Sequence, residues 1–113
     1  MSYKELIVWQ KAMMLLEAIY RHMRSFPADE RFRLCDQLSR AVVSVPSNIA
    51  EGFGRETDKD FRHFLSIARG SLYEIKTQLQ LAESLGYLQV NSDVYALCDE
   101  VGKLINGLSR SLH

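Results

Sequence analysis

The chain has 113 residues, the size of one domain with a single core. Its 14 lysines and arginines balance 14 aspartates and glutamates, which argues against the broad basic surface (pI above about 9) of a general nucleic-acid binder and leaves room only for a local patch. No run of about 18 apolar residues occurs, so no membrane span is predicted. The opening Met1 to Leu6 sets charges ahead of its apolar residues and lacks a small-residue cleavage site. It reads as a helix start and not as a secretion signal, and a cytoplasmic location is expected.

The first helix is predicted from about Lys4 to Ser25, with Ser2 and Glu5 at capping-box spacing. Trp9, Met13, Leu16, Tyr20 and Met23 recur at four- and three-residue steps and form its expected apolar stripe. Phe26-Pro27 ends it, because a residue before proline is pushed out of helical geometry. The second helix is predicted from about Glu30 to Gly52, with Asp29 as N-cap and a stripe through Leu34/Cys35, Leu38, Ala41/Val42, Val45, Ile49 and Phe53. The third starts at the Thr57 cap and carries Phe61, Leu65, Ala68, Leu72, Ile75, Leu79 and Ala82 inward, with Gly86 as a left-handed C-terminal cap. Asp58 and Asp60 suit its positive N-terminal end. The fourth starts at Asn91 and carries Val94, Leu97, Val101, Leu104, Leu108 and Leu112. No strand-like alternation persists, and short connections make successive helices antiparallel. The prediction is an all-α, up-down-up-down four-helix bundle occupying residues 1–113 as one domain.

Arg40 to Arg55 departs from a plain core helix. A proline inside a helix removes a backbone hydrogen bond and costs ~3 kcal/mol or more, so a bend of the second helix near Pro46 is expected. Arg40, Ser44, Ser47, Asn48 and Glu51 lie around it and read as a hydrogen-bonded polar network, with a serine reaching the freed carbonyl and Glu51 paired to Arg40 or Arg69. The same residues could instead receive a ligand or RNA. Ala68, Gly70 and Ser71 are expected to face the second helix, with Gly70 allowing close backbone approach at a cost of ~1 kcal/mol in helix propensity.

Arg55, Arg62, Arg69 and Lys76 are spaced by seven, and the last three are expected to form a nearly straight basic ridge along the third helix. Flanking charges of this kind make salt bridges to a neighbouring helix or track phosphates. Lys4, Lys11, Arg21 and Arg24 make a second basic set, read as solvated surface. Met13 to Leu16 point nearly all the way round the first helix, and Ile7 and Val8 repeat the pattern one turn earlier. An outer helix of a monomeric bundle buries one face only, so Ile7, Val8, Met14 and Leu15 are candidates for contact with a neighbouring subunit. Cys35 and Cys98 read as reduced core thiols, and His22, His63 and His113 have no metal-ligand spacing. No nucleophile, oxyanion donors or metal ligands accompany Glu51, so no catalytic residue, metal or cofactor is assigned.

The run Ser44 to Arg55, S-V-P-S-N-I-A-E-G-F-G-R, followed by F-R-H-F-L-S-I-A-R-G-S-L-Y-E from Phe61 to Glu74, resembles the four-helix-bundle proteins of the 23S ribosomal RNA intervening-sequence family. Trp9 to Ala12, the Phe26-Pro27 break and the Leu85-Gly86-Tyr87-Leu88 turn are similar too, so the resemblance covers nearly the whole chain. Where many relatives carry two basic residues, this chain reads Gln37-Leu38-Ser39-Arg40-Ala41. The resemblance implies a bacterial protein that assembles as a ring-like homopentamer, related to retroelement accessory proteins that bind nucleic acid and a reverse transcriptase. The combined expectation is a non-enzymatic, self-assembling interaction or scaffold module. The alternative is an RNA- or DNA-binding accessory protein that uses the third-helix ridge.

Overall fold

A computed structural model describes all 113 residues. Four α-helices carry the fold: α1 (Ile7–Met23), α2 (Leu34–Phe53), α3 (Asp58–Ser84) and α4 (Asp93–Ser111). Two 3-10 turns, Tyr3–Glu5 and Ala28–Glu30, precede α1 and α2, and there is no strand. The bundle measures 44 × 25 × 20 Å. Each helix packs on its sequence neighbours and α1 closes on α4, so the four form a ring in cross-section; the α2–α3 contact is the most extensive. No helix is long and apolar enough to cross a membrane.

α3 buries all seven residues of its predicted stripe, and Ser71 with them. Thr57 caps it by accepting from the Asp60 backbone N–H at 3.1 Å. It ends at Gly86, whose φ of +82° is the left-handed conformation glycine alone adopts without penalty. The Tyr87 N–H then reaches back to the Ala82 carbonyl at 2.8 Å and the Gly86 N–H to Glu83 at 3.0 Å, the paired bonds of a Schellman cap.

The first helix differs from its prediction. The Ser2–Glu5 capping box forms, but on the 3-10 turn, and extended Leu6 separates that turn from α1. The Gln10 side chain bridges the break by donating to the Lys4 carbonyl at 2.8 Å. The buried stripe of α1 is Val8, Ala12, Leu15, Ala18 and Ile19, one residue (~100°) away from the predicted one. Ala12 and Ala18 are buried, while Trp9, Leu16 and Met23 flank the core. α4 shows the same shift in part: Cys98 and Ile105 join Val94 and Val101 inside, and Leu97, Leu104 and Leu108 lie at the margin. Its first residue is Asp93, with Ser92 at the cap position, two residues later than predicted.

α2 also starts late, at Leu34 and without a side-chain cap, so Asp29 does not cap it. The Glu30 carboxylate is instead held by the Tyr87 hydroxyl at 2.9 Å, which ties the preceding turn to the far end of α3. From Leu34 the helix runs unbroken through Pro46, which is buried against the core.

Candidate functional site

The signature network sits on the seam between α2 and α3 and is smaller than expected. The Ser44 and Ser71 hydroxyls bond across the seam at 2.7 Å. The Asn48 amide donates to the Ser44 carbonyl at 2.8 Å and to the Ser44 hydroxyl at 2.9 Å. Arg40, Ser47 and Glu51 stand outside it. Arg40 bonds Asp36 one turn earlier, Glu51 accepts from Arg55 at 3.0 Å, and Ser47 is exposed. No serine reaches the carbonyl freed by Pro46, since the Ser44 hydroxyl is turned to Ser71. The network therefore joins two helices.

Close packing against a glycine occurs at Gly52, not at Gly70. A Cβ on Gly52 would fall 2.7 Å from the Phe64 Cβ and 2.9 Å from the Phe61 ring. Around Gly70 nothing lies within 4 Å. Gly70 faces outward because Ala68 and Ser71 already make the inward face of that turn.

The basic ridge is largely spoken for. Arg55 pairs with Glu51 and its guanidinium lies 4.8 Å from the Phe64 ring centre. Arg69 donates to Asn106 on α4 at 3.1 Å. Lys76 meets Asp99 on α4 at 3.4 Å and lies 5.5 Å from the Tyr73 ring centre. Of the four, Arg62 alone forms neither an ion pair nor a side-chain hydrogen bond. The ridge thus knits α3 to α4 along a groove of about 250 Å³ in which Asp99 faces Arg69, Lys76 and Lys103.

The four subunit-contact candidates separate into two pairs. Val8 and Leu15 are 4% and 1% exposed and belong to the core of the bundle itself. Ile7 and Met14 are 61% and 47% exposed, one residue (~100°) round α1 from that buried pair. Ile7 adjoins Leu104 and Leu108 of α4 in an apolar groove of about 400 Å³.

The sequence profile of the 23S rRNA-intervening sequence proteins matches residues 4–107. The chain belongs to this family. The match runs from the first turn into α4 and takes in every residue of the polar network and the ridge. Among curated proteins nothing matches.

A further constellation in this family member was missed in the sequence because its parts are 70 residues apart. His22 Nε2 lies 3.1 Å from an Asp93 carboxylate oxygen and 3.5 Å from the Ser92 hydroxyl. Both oxygens meet the same ring nitrogen. A serine–histidine–aspartate relay needs one partner on each nitrogen, so this cluster cannot pass a proton through the ring. It clasps α1 to the start of α4, and the His22 bond holds the Asp93 carboxyl below its usual range. No three histidine, cysteine or carboxylate side chains gather as a metal set. Cys35 and Cys98 are free thiols, and burial pushes Cys98 up to about 12. Burial and the hydrogen bond to Glu83 likewise raise the Tyr95 hydroxyl to about 12.

Also missed was Phe32, 83% exposed between Arg31 and Arg33 in the α1–α2 connection. The R-F-R triplet was legible, but it was absorbed into the predicted start of the second helix.

Proposed function

We propose that this protein is a non-enzymatic helical module that works by assembling with copies of itself and presenting the assembly to a partner. The observation that carries this reading is the two-sided character of α1. Val8 and Leu15 fill the core, while Ile7 and Met14, about 100° round the helix, stand outside it. Isolated exposed apolar residues are ordinary, but Ile7 continues into an apolar groove with α4, and burial of such a patch drives association. A homopentamer in the cytoplasm is the form we propose, and two free thiols suit that reducing compartment. The absence of a relay at His22 and the pairing of Glu51 with Arg55 favour a binding role over catalysis. A phosphate-tracking role for the ridge has less support, because Arg55, Arg69 and Lys76 already have partners.

Sedimentation equilibrium tests the proposal. The native protein is expected at about five times the 13.0 kDa chain mass, and Ile7→Glu with Met14→Glu should reduce it toward one chain without loss of helical signal. A single-chain mass for the native protein at micromolar concentration overturns it.

A further inference from the structure

We infer that the open groove at the α1–α2 turn is a binding site for single-stranded nucleic acid, with Phe32 as the platform on which a base stacks. The inference is independent of self-association and of the third-helix ridge. The groove has a volume of about 780 Å³, room for one or two nucleotides, and Tyr20, Arg24, Arg31 and Phe32 are among its walls.

Four observations point to this ligand. Phe32 exposes 83% of its surface, so the bundle gains almost nothing from its burial. Tyr20, at 41% exposed, supplies a second aromatic face to the same groove. Arg24 and Arg31 are exposed and form no ion pair or side-chain hydrogen bond, in contrast to Arg55, Arg69 and Lys76 of the ridge. No carboxylate lines the groove: Glu30 is held by Tyr87 and Asp36 by Arg40. The α3–α4 groove, by comparison, is crossed by Asp99.

Aromatic faces between unpaired guanidinium groups suit a chain that alternates flat bases with phosphates. Arg24 comes from the end of α1 and Arg31 from the turn, so the two cations flank the platform and can hold successive phosphates. A duplex hides its base faces and cannot use Phe32, so unpaired strands are the preferred form.

Fluorescence anisotropy with labelled oligo(U), oligo(dT) and an RNA duplex, each about 12 units long, tests the site. At about 50 mM salt the single strands are expected to bind at least tenfold tighter than the duplex. The RNA and DNA arms separate the two sources: tighter RNA binding adds contacts to the 2′-hydroxyl. Phe32→Ala should weaken binding about tenfold and Phe32→Trp should preserve it. Arg24→Gln with Arg31→Gln should lower the slope of log affinity against log salt by about 0.7 per residue. Arg62→Gln with Arg69→Gln should change nothing. All these side chains are at least partly exposed, and circular dichroism checks each fold. Absent binding at low salt, equal duplex affinity, or an unaffected Phe32→Ala variant overturns the inference. So does a Phe32→Ala variant of reduced assembly mass, which would make the groove a contact between copies. The inference survives a native protein that proves monomeric.

Discussion

Glycines separate residues that pack from residues that only bend the rules of helix propensity. Gly52 lies where α2 meets the Phe61 and Phe64 side chains, and an added methyl at 2.7 Å from a Cβ has no flexible atom to displace. Gly52→Ala should therefore cost about 1–3 kcal/mol despite alanine's better propensity, read as a lower urea midpoint at unchanged m-value. Gly70→Ala meets open space and should stabilise by about 1 kcal/mol in the same assay. Buried ionisable groups act on the same scale. The Cys98 thiol ionises near 9.0 when solvated and near 12 in the fold. The unfolded chain therefore loses this proton first, and stability is complete below about pH 9 and falls as pH rises toward 12. Tyr95 adds to the loss above its ordinary value of 10.0. Urea midpoints at stepped alkaline pH should fall for the native protein and fall less for Cys98→Ala. Asp93 works in the opposite direction: its lowered pKa adds stability that is lost as pH falls through the carboxylate range, modestly because its side chain is 72% exposed.

At the level of helices, the α2–α3 pair is the best specified. Both buried stripes were legible in the sequence, because large aliphatic residues recur at helical spacing along them. The polar contact at its centre should follow the rule for buried hydrogen bonds. Ser71→Ala is expected to cost about 1 kcal/mol, and Ser44→Ala with Ser71→Ala less than the sum of the single changes. Denaturant melts of the three variants measure this coupling. α1 and α4 were harder to read. Each carries more apolar residues than one face can bury, so periodicity alone admits two solutions about 100° apart. On α1 the solution adopted is the one that buries Ala12 and Ala18.

For the whole molecule, the α1 face left outside the core becomes the argument for assembly. A bundle of 44 × 25 × 20 Å buries Val8 and Leu15 completely and still presents Ile7 and Met14. If the native protein assembles as proposed, charge at those two positions should leave a folded chain of 13.0 kDa with melting that no longer depends on concentration. Loss of helical signal in that double variant would instead mark both residues as necessary to the single bundle.

The order of residues was enough to specify four helices, their approximate bounds, the inward face of α2 and α3, the Gly86 cap and the family. Those features depend on spacing and on local backbone chemistry, which a linear chain carries openly. Contacts between distant segments were decided by tertiary packing. It joined Tyr87 to Glu30, His22 to Asp93 and Ser44 to Ser71, and gave Arg69 and Lys76 partners on α4. It also left Arg24, Arg31 and Phe32 without any. Whether a charge is free depends on which other helix lies beside it, and that proximity exists only once the bundle has closed.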